Sequence, residues 1–266
     1  MKKKFFYPRI SIITISYNSE KTIEETIRSV VSQNYPNLEY IVIDGASKDR
    51  TLDIVYKYKE QIAIISSEPD KGISDAFNKG IRYSTGEIIG IINSDDLLMP
   101  DALQAIAEAY DQSVDVYRGN LIIWNSDTGN KVISIPAVEF PIYSFGKPSI
   151  CHPSTFVAKD AYDRYGTYRV DFKNLMDVDL LMRFYKAKAK FKHVNKELAV
   201  FRLGGVTSYP FWKKLNEVKN LYLGNGSGLL WASIMVLWYI FYSSSVLILK
   251  SVFSDDSLKN WKAKVR

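Results

Sequence analysis

The stretch that most constrains this chain reads Ile88-Ile89-Gly90-Ile91-Ile92-Asn93-Ser94-Asp95-Asp96. An unbroken apolar run, rich in isoleucine and bounded by Gly86 and a polar cluster, predicts a strand buried on both faces of a sheet. It ends in two adjacent carboxylates. Ligands of open α/β sheets bind outside the carboxyl ends of the strands, so acids placed there face a ligand. Mg2+ and Mn2+ take oxygen ligands and bridge one or two carboxylates to substrate phosphates. The pair therefore predicts a metal-assisted site for a phosphate-bearing substrate. The plainer alternative makes Asp95 and Asp96 loop acids ahead of a helix begun by Pro100 and favoured by its dipole.

The chain before this strand alternates. Strands are predicted at 10–16, 40–43 and 62–66. They are separated by a helix capped by Ser19 and carrying Ile23, Ile27, Val30 and Val31 on one face, and by helices at 51–58 and 74–83. Such alternation builds an α/β fold with a mostly parallel central sheet flanked by helices. No Gly-x-Gly-x-x-Gly follows the first strand and no Gly-Lys-Ser/Thr occurs, which argues against a dinucleotide on a glycine turn and against a P-loop. The strand ends offer side chains instead: Thr14, Ser16, Tyr17 and Asn18, then Asp44, then Asp70 and Lys71, then Asn93 to Asp96. A nucleotide could use such a rim, with carboxylates accepting from base N–H groups, hydroxyls and amides on the ribose, and a metal with a cation on the diphosphate. Each residue alone also fits an ordinary loop, and Asp44 could simply form an Asp-Gly turn.

The second half changes character. Short strands are predicted at 114–118, 121–125 and 132–135, the last two joined by a hairpin turn at Asp127-Thr128-Gly129-Asn130 that extends the sheet with antiparallel strands. A further strand at 149–157 is interrupted by His152-Pro153. Asp177 and Asp179 then stand at a helix start. They either stabilise its N-terminal dipole, by about 0.3–1 kcal/mol each, or one of them is a general base.

Cys151 is the sole cysteine, so no intrachain disulfide forms, and with only His152 and His193 a Cys/His zinc site is disfavoured. The net charge of +6 comes from lysines scattered along the chain and crowded toward its ends, a distribution that suits a membrane surface or an anionic substrate better than nucleic acid. Met1-Lys2-Lys3-Lys4 resembles a signal-peptide start, but Pro8 and Arg9 interrupt the next apolar stretch, which reads as a cytosolic beginning. Residues 220–249 carry no charge, and 229–242 are apolar nearly all round a helix, with Trp231, Trp238, Tyr239, Phe241 and Tyr242. Lys250, Lys259, Lys262, Lys264 and Arg266 come after it. Membrane association is expected in preference to a buried helix or an oligomer interface, with spanning and interfacial placement both open.

In sequence order, Ile12-Ile13-Thr14-Ile15-Ser16-Tyr17-Asn18, Ile43-Asp44-Gly45-Ala46-Ser47-Lys48-Asp49, Glu68-Pro69-Asp70-Lys71-Gly72-Ile73, Asn78-Lys79-Gly80, Thr85-Gly86-Glu87, Asn93-Ser94-Asp95-Asp96, Cys151-His152, Asp177-Val178-Asp179-Leu180 and Phe201-Arg202-Leu203-Gly204-Gly205-Val206 resemble the inverting family 2 glycosyltransferases of GT-A fold. The likeness is greatest to bacterial members that assemble surface polysaccharide and lipopolysaccharide. It implies a GT-A catalytic domain over 1–208 and a C-terminal helical membrane-associating segment over 209–266. It implies nucleotide contacts at Thr14, Ser16, Tyr17, Asn18, Asp44, Asp70, Lys71, Asn93 and Ser94, and Mn2+ or Mg2+ on Asp95 with Asp96 beside it. Asp177 aligns with the family's base, and His152, Asp179, Arg183 and Arg202 are candidates for acceptor or phosphate contacts. Asn93 stands where the family's metal motif has its first acid, and Met176 where an acid precedes the base. The implied reaction moves a sugar from a nucleoside-diphosphate sugar, expected to be a UDP-sugar, to a hydroxyl of a lipid-linked or polysaccharide acceptor at the cytoplasmic face of the bacterial inner membrane. Two alternatives stand: a membrane-tethered sugar-nucleotide scaffold without transfer, and a nucleotidyltransferase. The second needs a Gly- and Arg-rich loop that Tyr17-Asn18-Ser19-Glu20 does not supply.

Overall fold

The computed structural model describes residues 6–125, 128–136, 152–203 and 211–252, with backbone alone at 211–213 and 242–252. Contacts divide the chain into two compact units, 1–208 and 209–266. The first begins β1 (Ile10–Ser16), α1 (Ile23–Val31), β2 (Leu38–Asp44), α2 (Thr51–Tyr56), β3 (Ile64–Ser67), α3 (Ile73–Tyr83) and β4 (Ile88–Asn93). All the pairings among these strands are parallel, and the spatial order β3-β2-β1-β4 reverses its growth between β1 and β4. That reversal leaves a crevice at the carboxyl ends of the two strands, which end at Ser16 and Asn93.

As the isoleucine run predicts, Ile88, Ile89, Ile91 and Ile92 of β4 are buried. The glycine within this strand has a packing reason. A Cβ at Gly90 would fall 2.6 Å from the ring of Phe156, which lies directly across the ladder. Ser19 does not cap α1: the helix starts at Ile23 with no side-chain cap. Ser19 instead ties the loop after β1 to its neighbours, its N–H donating to Thr51 Oγ1 and its hydroxyl sharing a hydrogen bond with Ser94 at 2.7 Å.

The unit continues with β5 (Leu97–Leu98), α4 (Ala102–Ala109), β6 (Val116–Asn125), β7 (Lys131–Ser134), a 3-10 turn (His152–Ser154), β8 (Thr155–Ala158), α5 (Lys159–Tyr165), α6 (Met176–Lys186) and β9 (Phe191–Leu203). Among the described residues the sheet has nine strands, with β8 antiparallel between β4 and β6. The strands expected at 114–118 and 121–125 are one strand, irregular in register at Gly119 and Asn120, where a Cβ on Gly119 would meet Leu198 at 2.3 Å. The strand expected at 149–157 begins at Thr155, because Pro153 has no N–H for a ladder and sits in the 3-10 turn. The β6–β7 hairpin forms as expected, with Gly129 at φ +70°, while Asp127 lies outside the described residues.

The second unit contains α7 (Phe211–Gly224) and α8 (Leu229–Val252). The C-terminal segment is therefore helical, yet among the described residues no helix is long and apolar enough to cross a membrane. Cys151, the loop at 140–150, the Gly204-Gly205 motif and the basic residues from Lys259 onward lie outside the described residues.

Candidate active site

The loops after β1, β2 and β3 meet around Asp44. This carboxylate is fully buried and accepts four hydrogen bonds: from Ser16 Oγ (3.0 Å) and Ser47 Oγ (2.5 Å) on one oxygen, and from Ser67 Oγ (2.7 Å) and Ser47 N (2.9 Å) on the other. Asp44 and Ser16 thus hold the loop framework, and a charge this deep is tolerable because every lone pair is used. Asn18, left-handed at φ +49°, accepts from Lys48 N at 2.8 Å, and its own N–H donates to Ser47 Oγ. Above this framework Tyr17 is exposed. A Cβ on Gly45 would lie 2.6 Å from Asp70 Oδ2 and 3.4 Å from the Tyr17 ring, so Gly45, Tyr17 and Asp70 enclose a cradle that only glycine leaves open. Asp70 is held by Gly72 N at 2.8 Å, and the Lys71 backbone is held from both sides, by Asp75 Oδ2 on its N–H and Lys173 Nζ on its carbonyl. Thr14 differs from the rest of the rim: its side chain is buried and shares a 3.0 Å hydrogen bond with the Tyr40 hydroxyl inside the sheet. Strand alternation turns it inward.

After β4 the chain turns through Asn93 to Asp96, closed by Asp96 N donating to Asn93 O. The two acids are placed differently. Asp96 is fully buried, accepting from Arg202 N (3.1 Å) and Asn93 Nδ2 (3.2 Å), while its carbonyl accepts from Thr26 Oγ1. It stitches β4, β9 and α1 together and does not lie open to a ligand as expected. Burial and the adjacent Asp95 push its pKa up to about 8. Asp95 is part-exposed and makes no hydrogen bond to another described side chain. Burial raises its pKa, against the pull of Arg202. The Arg202 guanidinium is pinned by Glu25 at 2.5 Å and lies 5.0 Å over the Trp124 ring.

No three of His, Cys, Asp and Glu gather as a metal site among the described residues. The donors nevertheless suit a hard cation that takes most of its ligands from a substrate diphosphate. Asp95 supplies a carboxylate, and Asn93 Oδ1 is a buried acceptor with no hydrogen-bond partner among the described residues.

The third group lies among β4, β8 and α6. Asp177 and His152 line one small cavity of about 10 Å3, room for roughly one water, together with Ile91, Thr155, Tyr162, Tyr168 and Leu180. Asp177 accepts from Val178 N at 2.8 Å, and its apolar surroundings push its pKa up to about 6. His152 stacks on Phe77 at 5.0 Å, and burial lowers its pKa to about 4. Asp179 and Arg183 are separate from this cavity: Asp179 is fully buried between Arg169 (3.1 Å) and Arg183 (2.9 Å), and Arg183 also donates to the carbonyls of Tyr165 and Thr167. These two lock the loop ahead of α6.

Residues to which the sequence gives no site role complete the site. Asn78 on α3 clasps Tyr168 through both its amide atoms (2.8 and 3.0 Å), and Ser74 donates to Phe172 O at 3.0 Å. With Lys173 reaching Lys71 O, they fasten the loop before Asp177 to α3 and to the Asp70 loop. A signal was present in the polar positions 74 and 78, one turn apart on an otherwise apolar face.

The family Glycosyl transferase family 2 matches residues 11–184, a span that contains all four strand-end loops and Asp177. The putative glycosyltransferase EpsE of Bacillus subtilis (strain 168) is 30% identical over 206 residues, covering 74% of this chain and 73% of its own. Among solved structures, S. aureus TarS 1–349 in complex with UDP-GlcNAc superposes with a TM-score of 0.65 at 20% identity, over 86% of this chain and 70% of that one. The mannosyltransferase PcManGT of Pyrobaculum calidifontis, in complex with GDP-Man and Mn2+, gives 0.62 at 17% identity, over 99% and 83%. At these identities the structural likeness speaks for a shared GT-A-like fold.

Proposed function

The chain belongs to glycosyl transferase family 2 and is a glycosyltransferase, and from that premise we propose that it transfers a sugar with inversion from a nucleoside-diphosphate sugar to an acceptor hydroxyl in bacterial surface-glycan synthesis. The observation that carries the reading is the cradle of Gly45, Tyr17 and Asp70 on the same sheet edge as the Asn93–Asp95 turn. The base stacks on Tyr17 and bonds Asp70; the ribose and diphosphate run toward Asn93, Ser94 and Asp95. A UDP-sugar is the expected donor, in keeping with the UDP-GlcNAc bound by TarS.

A divalent cation, Mn2+ or Mg2+, held by Asp95 and Asn93 Oδ1 would neutralise charge on the departing diphosphate. Arg202, close enough to act on the Asp95 charge, adds a fixed cation on that side. Asp177 takes the proton of the acceptor hydroxyl as its oxygen bonds to the anomeric carbon. The bond from that carbon to the diphosphate oxygen breaks on the opposite face, the diphosphate leaves with the electron pair, and the configuration inverts. The acceptor is a lipid-linked saccharide or polysaccharide at the cytoplasmic face of the inner membrane, with the uncharged part of α8, residues 229–249, as the membrane contact.

Calorimetry of UDP binding with Mn2+, with Mg2+ and with chelator, repeated for Asp95→Ala, tests the donor site. Metal-dependent binding lost in that variant is expected; well-folded protein that binds no nucleoside diphosphate overturns the reading. A scaffold without transfer, which Asn93 and Met176 favour, would bind the donor and never turn it over.

A further inference from the structure

We propose that His152 is a positioning residue for Asp177: its Nε2 and the Asp177 carboxylate share one water in their common cavity, which fixes the carboxylate and favours its ionised form. The proposal rests on the reading of Asp177 as the base. Nothing in that reading requires a histidine.

Three observations lead to it. His152 Nε2 is sealed from solvent and has no hydrogen-bond partner among the described residues, and an unsatisfied buried nitrogen of this kind costs stability unless a water or ligand meets it. The cavity it shares with Asp177 has the volume of about one water, and with His152 and Asp177 both on its lining such a water can make the two or more polar contacts it needs. The ring is also held in place. Phe77 stacks on it at 22°, and Phe77 in turn packs against Tyr168, which Asn78 grips by its backbone.

Among the described residues, the charged and titratable surroundings do not supply the same service. Tyr162 from α5 and Tyr168 from the following loop line the cavity, and burial pushes both hydroxyls far above their ordinary range, so they stay neutral. From α6, Asp179 and Arg183 are paired with each other, and Arg169 is paired with Asp179. β4 and β8 contribute Ile91 and Val157, and α3 contributes Phe77. His152 is kept neutral by burial, and its Nε2–H can donate to a water that donates onward to Asp177. Hydrogen bonds to a carboxylate favour its charged form.

The test observes the Asp177 carboxyl directly, by 13C NMR of aspartate-labelled full-length protein, with the resonance assigned by its loss in Asp177→Asn. The expected midpoint is near the value of about 6 set by the cavity. In His152→Phe it should rise by about one pH unit, the effect of one lost charge-assisted hydrogen bond. His152→Gln, whose amide nitrogen can stand where Nε2 stands, should return it to the wild-type value. If the phenylalanine variant does not fold, His152→Ala carries the same expectation. An unchanged midpoint in the apolar variant, or a glutamine variant that behaves like it, overturns the proposal. UDP binding should be equal in all of them, and a protein that bound no nucleotide would still report this midpoint.

Discussion

Asp70 Oδ2 stands 2.6 Å from where a Cβ on Gly45 would be. Gly45 has backbone angles that any residue can adopt, so its absent side chain matters only for the space it leaves to Asp70. Gly45→Ala should displace the Asp70 carboxylate by a few tenths of an ångström or more and narrow the cradle beneath Tyr17. Overpacking of this kind typically costs about 1–3 kcal/mol, which at the nucleotide corresponds to roughly a 5- to 150-fold weaker Kd. Calorimetry with UDP checks it. Unaltered affinity would mean that the nucleotide base lies elsewhere.

Asp177 gives a prediction with two signs. As a base it must be ionised, so kcat should rise with pH, with its midpoint near 6 and a plateau above it. Stability runs the other way. The folded-state pKa is raised to about 6 from 3.8, so the folded state holds the proton more tightly than the unfolded chain. The stabilisation is complete below pH 3.8 and is lost as pH rises through 6. At pH 8 the buried charge costs about 2–3 kcal/mol. Asp177→Asn should therefore abolish transfer, leave UDP binding intact, and melt at a higher temperature than wild type at pH 8 but not at pH 4. Equal melting at pH 8 would place the carboxylate in water.

The acids after β4 make a third case. Asp96 is committed to Arg202 N and Asn93 Nδ2, whereas Asp95 and Asn93 Oδ1 are the open donors. Asp95→Asn should remove metal-dependent UDP binding, by about tenfold or more, with little loss of stability. Asp96→Ala, which removes the acceptor of both Arg202 N and Asn93 Nδ2, should do the reverse, loosening the junction of β4, β9 and α1. Asn93→Asp restores a second negative charge and should tighten Mn2+ in the UDP complex by severalfold, as charge count governs affinity at oxygen sites. Titrations of metal into the UDP complex of each variant separate the three roles.

The order of strands and the position of the site could be read from sequence because both arise from local patterns. The isoleucine run fixed β4, and alternation fixed the parallel half before it. What could not be read depends on direction within a turn. Asp95 and Asp96 are neighbours in sequence, yet one is part-exposed and the other is wholly buried by β9, a strand whose partners lie about 80 residues away. β9 itself was hidden because Lys192, His193, Asn195, Lys196 and Glu197 give it little apolar alternation. Thr14 carries a motif position, but its hydroxyl is spent on Tyr40. Asn78 is the opposite case: it stands in one of the motif pieces, Asn78-Lys79-Gly80, yet the motif gives it no role, because its importance lies in two bonds across 90 residues of chain.

Along α8, Leu230, Ile234, Leu237 and Phe241 recur at intervals of four, three and four residues, the spacing of one helical face. All four are exposed, Leu230 to 78% and Leu237 to 66%. A stripe of this length without a charge is costly in water, at about 1.5–3 kcal/mol for each large apolar side chain left out of a lipid or protein environment. If a bilayer surface covers it, the purified protein should sediment with vesicles containing anionic lipid. Leu230→Glu with Leu237→Glu should reduce that partitioning at least tenfold while UDP affinity stays as in wild type, since the donor site lies wholly within residues 1–208. Partitioning that depends on salt and not on these two leucines would assign the membrane contact to charge alone. A wild-type protein that stays in solution as a concentration-dependent dimer, broken by the same two substitutions, would assign the stripe to a second copy of the chain.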